Sequence, residues 1–361
     1  MLREPTLEAA IIASPEDRAP YEVYGDWLAE RGDPRGEFIH VQLALELRPA
    51  DAALVVRSAE LIAAHEADWT EGLMSPSSRD PRITWRRGFI DDVEISGAYQ
   101  SNDSTLVWKQ LAPLATAIAM RSATIGALIT HHGSGADDHT LFEAMRDHPP
   151  PRSLRKLNLS CGNDDISWTQ FGDISIANAA LANVEVLTIA AGRVTLGAID
   201  LPRLRRLEIV CGGLPAHALA SIATARWPEL EELDVYLGCA EYSGTCTEDG
   251  VRALLRADLP VLRGLGIENC EFGDALAGVV ARAPIVKQLS RLDLSRGTMG
   301  ADGANVIADH RKRFAHLAAL DLSENYIPDA AAARVRSVLP HAKLADQRVE
   351  DEYGRFVSVS E

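Results

Sequence analysis

The chain has few cysteines, few aromatics, no surplus of positive charge and no long apolar run. Each shortage excludes something. Five cysteines stand among 361 residues, an odd number with no Cys-x-x-Cys pair, so a disulfide framework and a zinc knuckle are both excluded as organising devices. Cys161, Cys211, Cys239, Cys246 and Cys270 read as reduced thiols, consistent with a cytoplasmic location. Aromatics make up 6% of the chain, so the core must be built from aliphatics. Asp and Glu outnumber Lys and Arg by 52 to 36, a net charge of −16. That charge opposes phosphate backbones and anionic lipid, which excludes nucleic acid and membrane as main ligands. No window reaches the apolar length of a membrane span, and the first residues lack the apolar stretch of a signal peptide. No Gly-Lys-Ser/Thr phosphate loop, Gly-x-Ser-x-Gly elbow or His-Glu-x-x-His pair occurs.

What the chain has in quantity is one spacing of aliphatics. Leu317-Ala-Ala-Leu320-Asp-Leu322-Ser-Glu-Asn325 shows it most cleanly. It returns at Leu289/Leu292/Leu294, Leu262/Leu265/Ile267, Leu230/Leu233/Val235, Leu204/Leu207/Ile209, Val184/Leu187/Ile189 and Leu154/Leu157/Leu159. The pattern resembles the leucine-rich-repeat signature, in which each unit supplies one short strand and needs its neighbours to bury its apolar side. The expected fold is α/β: a ribonuclease-inhibitor-like horseshoe with parallel strands on the concave side and helices on the convex side.

Between the strands, Asp249–Ala257, Asp274–Ala283, Gly303–Phe314 and Asp329–Val338 read as Ala-rich amphipathic helices. The unit spanning Ala190 to Leu201 is too short for one and should hold a loop or single turn. The region 99–150 is the least regular; a strand is placed near Ile118 and Met120.

Ahead of the repeats the residues read as helices. Thr6 is an N-cap candidate for the first. Ser14-Pro15-Glu16-Asp17 supplies a cap, a Pro and acids for the second. A third follows the turn Arg31–Gly36, and a fourth runs from Asp51 to Asp68. The string Pro15-Glu-Asp-Arg-Ala-Pro20-Tyr-Glu-Val-Tyr-Gly-Asp26-Trp27-Leu28-Ala-Glu-Arg31-Gly32-Asp33-Pro34-Arg35-Gly36-Glu37-Phe38-Ile39 resembles the bacterial "repeat-companion" domain, over about residues 7–47. That resemblance implies a bacterial origin and a helical module set before leucine-rich repeats; it implies no chemistry. The domains expected are 1–80 helical, 81–345 solenoid and 346–361 a C-terminal cap or tail, with Phe356, Val357 and Val359 covering the open end. In the helical unit, Trp27 should be core, and the Asp and Arg residues of the Arg31–Gly36 corner should pair across their own turn. A polar recognition patch is the other reading of Asp26, Arg31, Asp33, Arg35 and Glu37.

Strand alternation puts every second side chain on the open face. Arg206, Glu208, Glu232, Asp234, Tyr236, Glu268, Arg291, Asp293 and Asp321 are the candidate partner-binding residues. Two readings stay open: solvated consensus acids, or a cradle for a basic protein segment with Tyr236 as anchor. The function expected is non-enzymatic protein recognition without a cofactor, as an adaptor, sensor or substrate protein in a bacterial regulatory or defence pathway. The alternative is a metal- or cysteine-dependent enzyme centred on the loop His131–His139 or on Cys246. His131, His132, Asp137, Asp138 and His139 are metal-ligand types, yet the spacing fits no metal motif and the loop is glycine-rich.

Overall fold

A computed structural model describes residues 1–73, 81–95, 103–126, 140–160, 166 and 169–359. The loop His131–His139, Ser134 and Cys161 lie outside the described residues.

Four helices come first: α1 (Pro5–Ala13), α2 (Ala19–Ala29), α3 (Pro34–Leu47) and α4 (Ala52–Trp69). Two of their starts differ from expectation. Glu4, not Thr6, caps α1, its carboxylate accepting from Leu7 N at 2.7 Å. Ser14–Asp17 forms a turn, and α2 begins only at Ala19 with Pro20 in its first turn. There Asp17 takes the amide of Ala19 at 3.2 Å. The other two starts follow the sequence: Asp33 accepts from Arg35 N, and Asp51 from Ala53 N and Leu54 N, satisfying helix-start amides that have no partner within the helix.

The rest is one sheet with helices between its strands. In chain order come β1 (Arg82–Arg86), β2 (Phe89–Ile95), α5 (Asp103–Leu111), β3 (Ser122–Gly126), α6 (Thr140–Asp147), β4 (Lys156–Ser160), β5 (Gln170–Phe171), β6 (Val186–Ala190), β7 (Arg193–Val194) and β8 (Arg206–Val210). Then follow α7 (Ala216–Thr224), β9 (Glu232–Gly238), α8 (Glu248–Leu254), β10 (Gly264–Cys270), α9 (Gly273–Arg282), β11 (Arg291–Asp293), α10 (Ala301–Asp309), α11 (Arg311–Phe314), β12 (Ala319–Asp321), α12 (Asp329–Val338) and β13 (Ala342–Lys343). Eleven strands pair in the order β1-β2-β3-β4-β6-β8-β9-β10-β11-β12-β13; β5 and β7 pair apart. Among the strand pairs of the described residues, the β1–β2 hairpin is antiparallel and the others are parallel. This is an α/β arrangement with a parallel sheet, consistent with a solenoid.

The register follows the aliphatic spacing. Val93, Ala123, Leu157, Leu187, Leu207, Leu233, Leu265, Leu292 and Leu320 are consecutive Cα partners across the sheet. All are buried in one continuous apolar cluster. A parallel strand must bury that row against the helix layer, because the crossovers place helices on the sheet's face. The strand expected near Ile118 and Met120 is a turn; the strand is β3, four residues on. Its inward residues are Ala123 and Ile125, so a small residue stands where β2 carries Val93 and the units from β4 to β12 carry Leu. The segment 190–201 has no helix, as its length requires, but holds β7. Helix α7 was not foreseen; it buries Ala218, Leu219 and Ile222.

The helical unit packs on the hairpin. Phe38 stacks on Trp69 at 4.8 Å and meets Trp85 edge-on at 5.8 Å. Tyr21, Tyr24 and Leu28 close over Phe89. Trp27 is half-buried, lying parallel to Tyr24 with the Arg31 guanidinium 4.3 Å above its ring. The corner's acids and arginines do not pair across their turn. Arg35 is fully buried and donates to Tyr24 Oη and Leu2 O, Glu37 takes Arg57, and Asp26 takes His40. Among the described residues, no helix is long and apolar enough to cross a membrane.

Candidate functional site

The outward positions form rows as regular as the core. The middle row runs Glu94, Thr124, Asn158, Thr188, Glu208, Asp234, Gly266, Asp293, Asp321 and Lys343. Its first half is mainly hydroxyl and amide. From Glu208 to Asp321 it is mainly acidic, and the nine candidate residues lie in this row and the two flanking it, on the strands β8 to β12. The structure therefore brings the candidates onto one contiguous face.

It also supplies cations that alternation alone did not assign to the acids. Arg291 on β11 donates to Glu232 at 2.9 Å and to Asp234 at 2.5 Å, both on β9, two strands away. Two glycines of β10 make this possible. A Cβ on Gly264 would sit 1.9 Å from Glu232 Oε2, and one on Gly266 would sit 2.4 Å from Asp234 Oδ1. The β9 carboxylates lean over the bare strand and meet Arg291 above it. Arg206 approaches Glu208 at 3.4 Å and Asp234 at 3.7 Å.

Arg296, just beyond β11, is the second cation. It holds Glu268 at 3.0 Å, Glu324 at 3.3 Å and the hydroxyl of Tyr236. Its guanidinium carbon lies 5.7 Å from the Tyr236 ring centre. Asp234, Tyr236 and Glu268 are consequently buried on a face that alternation alone makes open.

The charges do not balance. Asp293 and Asp321 are direct partners on β11 and β12, a placement that repels. Asp321 takes Ser323 N at 3.0 Å and has Lys343 at 3.6 Å; the nearest cation to Asp293 is Arg291 at 3.9 Å. Burial pushes the Asp293 carboxyl up, and Asp321 adds to it against the bonds from Ser295. Glu268 is pushed up to about 8, by burial first and then by Asp293 and Asp234. Burial also raises the Tyr236 phenol.

Sequence reasoning missed Arg296, Glu324 and the part played by the two glycines. Gly264 and Gly266 flanking Leu265 were the available signal: two consecutive outward positions without a side chain leave space that neighbours fill.

The cysteine candidate is quiet. Cys246 Sγ lies 3.2 Å from Leu214 O, and burial pushes its thiol up to about 12. Helix α8 starts two residues on, at Glu248, but burial is what governs the thiol, whereas a nucleophilic cysteine needs its thiolate stabilised. Among the described residues, no three His, Cys, Asp or Glu side chains are grouped to hold a metal.

No protein-family model matches the chain, and no curated protein matches it. A crystal structure of a Bacteroides fragilis protein aligns with it at 23% identity, over 74% of this chain and 77% of that one, with a TM-score of 0.61. That likeness is one of fold alone. An internalin from Listeria monocytogenes aligns over 80% of this chain and 96% of its own at 14% identity, with a TM-score of 0.25; this second likeness carries no argument.

Proposed function

We propose that the chain is a non-enzymatic recognition protein of the leucine-rich-repeat kind. In this reading residues 1–80 form the repeat-companion cap and 81–345 the solenoid. It docks a basic segment of a protein partner on the acidic half of the sheet face, as an adaptor, sensor or substrate protein in the bacterial cytoplasm. One observation carries the reading. Asp293 and Asp321 face each other with only long contacts to cations, Arg291 at 3.9 Å and Lys343 at 3.6 Å, and the carboxyls of Asp293 and Glu268 are raised. A face with surplus, mutually repelling carboxylates gains from an incoming ammonium or guanidinium, which removes repulsion as well as adding attraction. Arg291 already holds Glu232 and Asp234, Arg296 holds Glu268 and Arg206 lies beside Glu208, so the docking positions narrow to Asp293 and Asp321.

The test uses an arginine- and lysine-rich octapeptide titrated into the full chain at low salt. Backbone resonances of β11 and β12 should shift. Asp293→Asn with Asp321→Asn should weaken binding about tenfold, roughly 1.4 kcal/mol. Shifts spread over the whole surface, or affinity indifferent to the double substitution, would remove the reading.

A further inference from the structure

The tail expected to cover the open end of the solenoid does something else. It turns back across the loops that follow β12 and β11 and across the end of β10, and it lies there as an extended strip bound mainly through its backbone. Tyr326 Oη donates to Phe356 O at 3.2 Å and accepts from Phe356 N at 3.0 Å. Arg296 O accepts from Ser358 N at 3.1 Å. The Asn269 amide closes a ring with one residue, donating to Val359 O at 2.6 Å and accepting from Val359 N at 2.8 Å. Two side chains thus each satisfy both the N–H and the C=O of a tail residue, which is how a groove reads an extended peptide whatever its side chains.

Side-chain selection is added at two points. Arg355 reaches Asp274 at 3.2 Å and Thr298 O at 3.3 Å. Space for it exists because residue 300 is glycine: a Cβ there would lie 2.3 Å from the Arg355 guanidinium. Val357 is buried, whereas Phe356 is 48% and Tyr353 78% exposed. Phe356 and Val357 border a cleft of about 360 Å³ whose far wall is Cys239, Glu241, Tyr242 and Glu271. The groove is built from the repeats themselves. Asn269, Arg296 and Glu324 occupy equivalent positions, four residues beyond Leu265, Leu292 and Leu320, and all three have positive φ (54°, 64° and 55°). A left-handed backbone at non-glycine residues is costly and persists where the surroundings impose it.

We propose that this turn edge is a peptide-binding groove, occupied by the chain's own residues 355–359, that takes from another protein an extended segment of the same chemistry: an arginine, then an aromatic, then a buried valine, then a residue whose N–H faces Arg296 O, then one whose backbone faces Asn269. The chain's own tail holds the groove because it is tethered, at a high effective concentration, and not because it is deeply buried. A partner segment that also fills the Tyr242 cleft outcompetes it. The groove lies beyond the strand face, and its occupancy does not depend on Asp293 or Asp321.

The experiment uses the full chain and a fluorescent peptide of residues 350–361. Val357→Asp disables the tail's buried anchor and leaves every groove residue in place. Its Ser358 and Val359 amides should exchange with solvent at least tenfold faster than in the parent. The peptide should bind this variant at least tenfold more tightly than it binds the parent. Adding Asn269→Gly, which removes the amide and keeps a residue suited to positive φ, should abolish the gain. Tail amides that stay protected in Val357→Asp, a released groove that ignores the peptide, or binding indifferent to Asn269→Gly would each overturn the proposal. So would light scattering that shows the parent chain as a dimer with exchanged tails.

Discussion

Arg291 Nη2 lies 2.5 Å from Asp234 Oδ1, although the two residues stand on strands separated by a third. Adjacent strands lie about 4.8 Å apart, so the pair spans about 10 Å of sheet. The span exists because β10 presents no side chain at 264 or 266. Asp234 is buried, so removing its cation strands a charge. Arg291→Ala should cost about 2–4 kcal/mol, below the full value for a buried pair because the arginine is partly exposed. Arg291→Met combined with Asp234→Asn should cost less than the single change, since both charges leave together. Urea melts of the parent, the single and the double variant check this; a double variant worse than Arg291→Ala would refute the coupling.

The same face predicts a stability that falls with rising pH. The folded Glu268 carboxyl titrates at about 8, against an ordinary value of 4.5. Between these values the folded chain keeps a proton that the unfolded chain has released. Stability is therefore greatest below about 4.5 as far as this group is concerned, and declines as pH rises through the window. Asp293 acts in the same direction. The carboxyls held below their ordinary values, Glu37, Glu46 and Asp147, act in the opposite direction, but only at more acid pH. Thermal melts at pH 5 and pH 8 should show a lower Tm at pH 8, and Glu268→Gln should shrink the difference. An unchanged difference would show that Glu268 is not the group responsible.

The junction between the helical unit and the sheet rests on Arg87. Its guanidinium is buried, donates twice to Glu46 (2.7 and 3.2 Å) and caps the carbonyls of Glu16 and Asp17 at 3.1 Å each. It also lies 5.1 Å from the Tyr21 ring. Arg87→Met removes all four bonds and leaves Glu46 without its main cation. The expected loss is roughly 2–4 kcal/mol, discounted because Glu46 remains partly solvated. It should fall on the helices first, so far-UV ellipticity should melt in two steps where the parent melts in one. A single shifted transition would mean that the apolar contacts of Phe38, Trp69 and Trp85 hold the junction without it.

Much of this fold was legible because its code is periodic. Leu157, Leu187, Leu207, Leu233, Leu265, Leu292 and Leu320 share one spacing and turn out to share one row. Where the code lapses, legibility lapses with it. β3 fills the row with Ala123, so its aliphatic spacing vanished, and the bulkier Ile118 and Met120 drew the strand to the wrong place. Helix α7 buries alanine alongside Leu219 and Ile222, a weak apolar signal. The outward acids could be read from alternation alone, but their partners could not. Arg296 sits past the end of β11, where alternation no longer applies, and the reach of Arg291 depends on glycines of another strand. The tail's path was beyond the sequence for the same reason: Asn269 and Val359 are 90 residues apart.

Asn325 offers a sharper test of how one unit is fastened to the next. It is fully buried. Its Nδ2 donates to Leu294 O, Leu322 O and Ser323 O, and its Oδ1 accepts from Met299 N at 3.0 Å. One amide therefore satisfies backbone groups of its own turn and of the preceding unit. Asn325→Ala leaves Met299 N–H and Leu294 O unpaired in the interior, and each such group costs about 1–3 kcal/mol. Asn325→Asp keeps the acceptor but loses both N–H donors, and it sets a carboxylate oxygen against three carbonyls. The aspartate should be the worse of the two at pH 7, and should recover toward the alanine variant as acid protonates it. Melts of both variants at pH 7 and pH 4.5 decide the matter. If aspartate is tolerated at pH 7, the amide's donors are not what joins these units.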